Sequence, residues 1–194
     1  MPVPLRSVGG GWTYSEFARL SNDPNRYEVI DGEVFVTPVP SPWHQEVAAR
    51  LFTEVRLFVE DHHIGKLLPG PLDVLFADGD YLSPDMVMVR LERLGIVSDR
   101  GLEGVPDLIV EITSPLTAER DRGIKCERYA YFGVPHYWIV DPHARQIEVH
   151  QPWLDPRHPV LITSDVFSWQ PYPGSPTLKV DVAGMTAGFD DYPG

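Results

Sequence analysis

Two acidic residues stand where acids are costly. Asp85 opens the apolar run Asp85-Met-Val-Met-Val89 directly after Ser83-Pro84, and Glu111 interrupts Asp107-Leu-Ile-Val-Glu-Ile112. A carboxylate in an apolar strand must find a partner, either a basic side chain or a cation. Pairing with Arg or Lys is the commoner arrangement; a divalent ion is the other. Mg²⁺ is a hard ion that accepts one or two carboxylates together with phosphate oxygens and water, so two acids on neighbouring strands form half of such a site.

The segment after the second acid bears on that choice. Asp121, Lys125 and Tyr129 are spaced i, i+4 and i+8, so they share one stripe of a helix, with Lys125 on the inward side. A lysine facing a sheet needs a carboxylate or a phosphate. The strand 107–112, the break at Pro115 and the helix through 125 could bring Asp85, Glu111 and Lys125 around one pocket. There a metal would polarise a phosphodiester and acidify a bound water, and Lys125 would stabilise the hydroxide or the developing phosphorane charge. A salt bridge from Lys125 to Asp121 or Glu111 is geometrically as natural and is compatible with catalysis.

The elements that must position these residues follow from local pattern. Tyr27-Glu-Val-Ile30 and Glu33-Val-Phe-Val-Thr37 flank Asp31-Gly32, the dipeptide of a tight hairpin turn. Ser41 can cap, and Pro42 can begin, a helix from 42 to about 62, whose Val47, Leu51, Phe52, Val55, Phe58 and Val59 recur at helical spacing. Runs 65–68, 72–76 and 85–89 read as strands of one curved sheet. Segment 107–112 is nearly continuous in apolar residues, as in a strand covered on both faces. A helix over 117–132 stops at Gly133-Val-Pro135, and strands 136–140 and 146–150 form a hairpin around Asp141-Pro142. This order predicts an α/β sandwich around a mixed sheet. The termini, with Gly9-Gly10-Gly11 at one end and the run 171–194 at the other, read as looser.

The chain has 194 residues, 43% of them hydrophobic and 23% charged, which fits one domain over 1–194 with 151–194 as a strand and loop extension. Cys126 is the single cysteine, which excludes an intramolecular disulfide framework or a cysteine-based zinc site within one chain. The first residues lack a signal-peptide core, and no run approaches the roughly 20 apolar residues of a membrane span. The expected location is cytoplasmic, with no membrane partner. The remaining histidines show no metal-ligand spacing, and no Gly-rich phosphate loop or nucleophile elbow is present.

The stretches YEVIDGEVFVTPVPSPWHQEVAARL, SPDMVMV, GVPDLIVEITSP, DRGIKCERYAYFGVPHYWIVDP and IEVH resemble, in that order, the Uma-type restriction endonuclease family of the PD-(D/E)XK nuclease superfamily. The resemblance spans about residues 25–150. It implies a restriction-endonuclease-like core, a central mixed β-sheet flanked by helices with an N-terminal β-hairpin, and Mg²⁺- or Mn²⁺-dependent DNA hydrolysis. On it, Pro84-Asp85 matches the superfamily's proline and first metal-binding acid, Glu111 the second acid, and the Ile112 backbone carbonyl a third ligand. At the position of the superfamily's usual lysine stands Thr113. Lys125 then replaces that lysine from the helix, with Asp121 orienting it and Tyr129 supporting it, or the site has lost efficient hydrolysis. Glu33, His44 and Glu46 match further family positions, where a helix acid can hold a second metal through water; surface or capping roles are the alternative. Asp73 either faces the same pocket or alternates outward.

Two functions follow: a metal-dependent endonuclease with DNA as substrate, or a nuclease-fold binding or assembly module without efficient catalysis. A two-carboxylate glycosidase would need sugar-binding aromatics, which the stretches around 85 and 111 lack. A homodimer or higher homo-oligomer suits an enzyme that cuts both strands. The formal charge of −12 argues against a polyanion, but it is unevenly spread. Residues 90–128 hold seven bases and eight acids, so the excess lies largely outside the proposed site.

Overall fold

The computed structural model describes residues 12–20, 26–37, 39–77 and 79–188, with Leu5 and Arg6 at the level of the backbone. The glycine run 9–11, Asp78 of the predicted turn Asp78-Gly79, and residues 189–194 of the tail lie outside the described residues. In chain order, β1 (Leu5–Arg6) and α1 (Tyr14–Leu20) precede β2 (Arg26–Ile30), β3 (Glu33–Thr37) and α2 (Pro42–Asp61). Next come β4 (Gly65–Pro69), β5 (Val74–Ala77), β6 (Asp80–Leu82), β7 (Met86–Arg90), β8 (Val97–Ser98), β9 (Gly101–Leu102) and β10 (Leu108–Ile112). A broken helix follows, made of α3 (Ala118–Arg120), a π turn (Asp121–Lys125) and α4 (Cys126–Phe132). The chain continues through β11 (His136–Asp141), β12 (Gln146–His150), β13 (Leu161–Thr163), β14 (Val166–Trp169), β15 (Leu178–Asp181) and α5 (Val182–Met185).

The strands form two large sheets and a small one. A six-stranded mixed sheet runs β13-β12-β11-β10-β7-β4, with β10 and β11 parallel and its other neighbours antiparallel. A seven-stranded sheet runs β1-β3-β2-β6-β5-β9-β8, and β14 pairs with β15 alone. The predicted hairpin forms as read: Asp31 and Gly32 both adopt positive φ, 51° and 77°, which a two-residue turn between twisted strands requires. The α2 helix begins where its cap predicts, with Ser41 Oγ accepting from the His44 N–H at 3.1 Å and Pro42 in the first turn.

Alternation along the six-stranded sheet sorts its residues into two layers. Met86, Met88, Leu108, Val110, Trp138 and Val140 pack with the buried stripe of α2. On the other face Val87, Val89, Ile109, Tyr137 and Ile139 pack with Cys126 and Tyr129 of α4 and with Ile30, Val74, Leu82 and Leu102 of the second sheet. Glu111 shares parity with Ile109, so it points into the layer between the sheets.

Three expectations change. The strands read at 65–68, 72–76 and 85–89 do not share one sheet. β4 pairs with β7, whereas β5 turns back through Gly79 onto the three-residue β6, too short to read locally, and joins the second sheet. The helix over 117–132 is not continuous, because Gly123 (φ −99°, ψ −105°) leaves helical geometry inside the π turn. The described part of the C-terminal run is packed, not loose: Val180, Val182 and Met185 are buried against the α2 layer with Phe167 and Trp169. Among the described residues, no helix is long and apolar enough to cross a membrane.

Candidate active site

Asp85 lies at the mouth of β7 and Glu111 near the end of the neighbouring β10. The Asp85 Oδ2 accepts the Ile112 N–H at 2.7 Å, so the first acid rests on the main chain of the residue after the second. Its Oδ1 lies 3.1 Å from His44 Nε2, in the first turn of α2. The backbone beneath it is fixed by the Gly70 N–H, which donates to the Asp85 carbonyl at 2.7 Å. A Cβ at Gly70 would lie 2.4 Å from the Pro84 carbonyl oxygen, so only glycine lets the end of β4 approach this closely.

Glu111 is held from the other side. Its Oε1 accepts from Lys125 Nζ at 2.8 Å and from the Tyr129 hydroxyl at 3.0 Å. Lys125 is 2% exposed and also meets Glu28 Oε1 at 2.8 Å and Asp121 Oδ1 at 3.5 Å. It therefore ties β10 of one sheet to β2 of the other, and both salt bridges considered from the sequence are present. The hydroxyl of Thr113, two residues after Glu111, donates to Asp121 Oδ2 at 2.9 Å and so anchors the π turn that carries Lys125. A π turn inside a helix commonly marks a functional position.

The structure gathers Asp85, Glu111, Ile112, Lys125, Asp121, Tyr129, Thr113 and His44. Asp73, half-buried, stands near Arg26 and Glu28, whose charges both act on its carboxyl; burial first, and then Glu28, raise its pKa against the pull of Arg26. Glu46 is not part of the cluster, since it pairs with Arg50 one helical turn along α2 at 2.8 Å. Glu33 lies at the turn end of β3, opposite Ile30.

Glu28 and Arg120 escaped the sequence reading. Glu28 is fully buried; its Oε1 accepts the Ser83 N–H and its Oε2 the Thr37 hydroxyl, both at 3.0 Å, with Arg120 Nη2 at 3.3 Å. The available signal was its position in Arg26-Tyr-Glu-Val-Ile30, where alternation puts it on the face of Ile30.

Charge is unequally balanced in this layer. Burial pushes Glu28 up, but Lys125 and then Arg120 outweigh it and bring its pKa down to about 2. Glu111 moves the other way, to about 8, because burial dominates and Asp121, Asp85 and Glu28 offset the help of Lys125. Lys125 stays an ammonium: burial opposes its charge, but Glu111, Glu28 and Asp121 overcome that and raise its pKa. Glu28 thus contributes stability that is present above the ordinary carboxylate value near 4.5 and is lost as pH falls toward 2. Glu28→Gln is expected to flatten the loss of thermal stability between pH 5 and pH 2; an unchanged acid limb would contradict the assignment.

Two cavities open on either side of His44. One, of about 230 Å³, is lined by Arg26, Phe52, Pro71 and Asp85 among others. The second, of about 360 Å³, is lined by Val39, Thr113, Leu116 and His143 among others. A larger cleft of about 600 Å³, beside Arg50, Glu54 and Asp181, shares no lining residue with the acid cluster.

The donor set suits a hard divalent cation. Asp85 and Glu111 offer carboxylate oxygens, the Ile112 carbonyl belongs to the residue that Asp85 touches, and Lys125 and Tyr129 both use Oε1 of Glu111 and not Oε2. Four carboxylates, Glu28, Asp85, Glu111 and Asp121, stand against the cations Lys125 and Arg120. No three His, Cys, Asp or Glu side chains among the described residues are arranged as a metal centre.

A family model described as "Uma2: Putative restriction endonuclease" matches residues 14–184. A solved structure titled as a putative nuclease belonging to DUF820, from Anabaena variabilis ATCC 29413, superposes with a TM-score of 0.72 at 18% identity, over 90% of this chain and 97% of that one. At that identity the likeness is one of fold. No curated protein matches the sequence.

Proposed function

The chain belongs to the Uma2 family, and on that premise we propose that it is a divalent-metal-dependent nuclease that hydrolyses DNA phosphodiester bonds. One observation carries the reading: the Asp85 carboxylate is bonded to the main chain at Ile112, beside Glu111, which is itself held by a buried lysine at 2.8 Å. In this reading Asp85, Glu111 and the Ile112 carbonyl hold Mg²⁺ or Mn²⁺. The ion supplies Lewis-acid polarisation of the phosphate and a water acidic enough to attack near neutral pH.

The chain's own residues do the rest. Lys125 cannot act as a base, because its three acids keep it protonated. It fixes Glu111 and places a positive charge beside the centre where negative charge develops. Tyr129 donates to the same oxygen and sets the rotamer of Glu111. His44 fixes Asp85, the role of a positioning group behind a metal ligand. His44→Ala should weaken Mn²⁺ binding by about 10–100-fold, the usual cost of losing such support, with the unfolding midpoint little changed. Calorimetric titration beside a thermal melt checks this, and undiminished affinity would remove His44 from the site.

The direct test is nicking of supercoiled plasmid with Mg²⁺ or Mn²⁺ against a chelator, wild type beside Asp85→Asn. A second reading, a nuclease-fold module that binds without cutting, draws on one observation: all the described partners of the Lys125 ammonium are protein acids. Metal-independent nucleic-acid binding that survives Glu111→Gln, with no nicking by the wild type, would favour it.

A further inference from the structure

The cavity on the far side of His44 differs in kind from the acid cluster it adjoins. Although it shares His44 and Thr113 with that cluster, its lining includes no lysine, arginine, aspartate or glutamate. It is built from prolines, aliphatic side chains, hydroxyls, imidazoles and the indole of Trp43, and at about 360 Å³ it falls within the usual range of small-molecule pockets, roughly 300–1,000 Å³. The opposite cavity carries two charged residues, Arg26 and Asp85. His44 thus separates a charged groove from an uncharged one.

Two aliphatic side chains stand at the rim of the uncharged cavity, Val39 at 87% exposure and Leu116 at 82%. The Leu116 loop is braced: the Thr117 hydroxyl accepts the Ser114 N–H at 3.1 Å, and the Ala118 N–H donates to the Ser114 carbonyl at 2.9 Å. Leu116 is therefore presented to solvent by an ordered turn beside the site.

We propose that this cavity receives one unpaired nucleobase of the strand whose phosphate lies at Asp85 and Glu111, so that the preferred substrate is single-stranded or locally unpaired DNA. The inference rests on the nuclease reading and gives it a substrate class. A phosphate meets no lysine or arginine in this cavity, whereas a base offers a flat apolar face to Val39, Leu116 and the prolines. A base in a continuous duplex cannot enter without leaving its stack, which costs a few kcal/mol, least where it is already unpaired. The acidic chain also favours this choice, because a single strand needs fewer cations than a duplex.

The test uses labelled oligonucleotides as a single strand, a full duplex and a duplex with a short unpaired gap. Binding is read by anisotropy in Ca²⁺, and cleavage is read in Mn²⁺. Single-stranded and gapped DNA should bind and be cut at least about tenfold better than the duplex, the scale of one seated base. Val39→Ser with Leu116→Ser should erase most of that preference through KM while leaving kcat on the single strand nearly unchanged. Equal cleavage of duplex and single strand, or a preference untouched by the double variant, overturns the inference and leaves the nuclease reading standing. Single-strand preference in Ca²⁺ without cleavage in Mn²⁺ does the reverse.

Discussion

Lys125→Met lowers the stability of the metal-free protein by about 3–5 kcal/mol, the cost of breaking a buried ion pair by removing one partner. Methionine matches the length and apolar stem of lysine, so the loss is one of charge and not of packing. With the ammonium gone, Glu28, Glu111 and Asp121 face one another in the layer between the two sheets, and among the described residues Glu28 keeps Arg120 as its cationic partner. At about 2–4 °C per kcal/mol for a chain of this size, the unfolding midpoint should fall by roughly 6–20 °C. The deficit has a sign in pH. Without Lys125, burial raises the buried carboxyls, and a group with a raised folded pKa favours folding below its ordinary value and loses that contribution as pH rises. The variant should therefore lose more at pH 8 than at pH 5. A double-mutant cycle with Glu28→Gln should recover part of the loss, since the two groups touch at 2.8 Å. A midpoint within a degree or two of wild type would mean that Lys125 is not the tie between the sheets.

Asp85→Asn and Glu111→Gln should each cut the rate of plasmid nicking by at least about a hundredfold, the scale for losing one preorganised electrostatic group in a transition state. Both changes keep shape and remove charge, so they separate metal holding from packing. In Asp85→Asn the side-chain carbonyl can still accept the Ile112 N–H, which preserves the approach of β7 to β10. Because the two acids would hold one ion, the double variant should cost little more than either single change, as groups acting as a unit do. Losses that multiply would show two independent roles. Activity within severalfold of wild type in either single variant would exclude that acid from the centre.

The sequence made the two acids and the lysine visible for a physical reason. Asp85 and Glu111 break runs that are otherwise apolar, and Lys125 shares a stripe with Asp121 and Tyr129 whose inward side could be inferred. Glu28 was hidden because its face of the strand also carries Arg26 and so looks like the solvent side, although Ile30 shares that face. Only the packing of the second sheet over β10 buries it. The division of β4, β5 and β7 between two sheets was hidden for a related reason, since a short antiparallel strand carries no local mark of its partner. The π turn was unreadable because a lone glycine such as Gly123, although it weakens a helix, does not by itself say whether the helix breaks there. The hairpin turn at Asp31-Gly32, the cap at Ser41 and the stop at Gly133, where φ is 77°, depend on one or two residues and were legible.

The measurement closest to the central claim is calorimetric titration of Mn²⁺ into the purified protein, compared with Asp85→Asn and Glu111→Gln under the same conditions. The paired acids predict saturable binding by the wild type that is lost in each variant while both still unfold cooperatively. Wild-type protein that takes up no Mn²⁺, or variants that bind it as tightly as the wild type, would contradict the account.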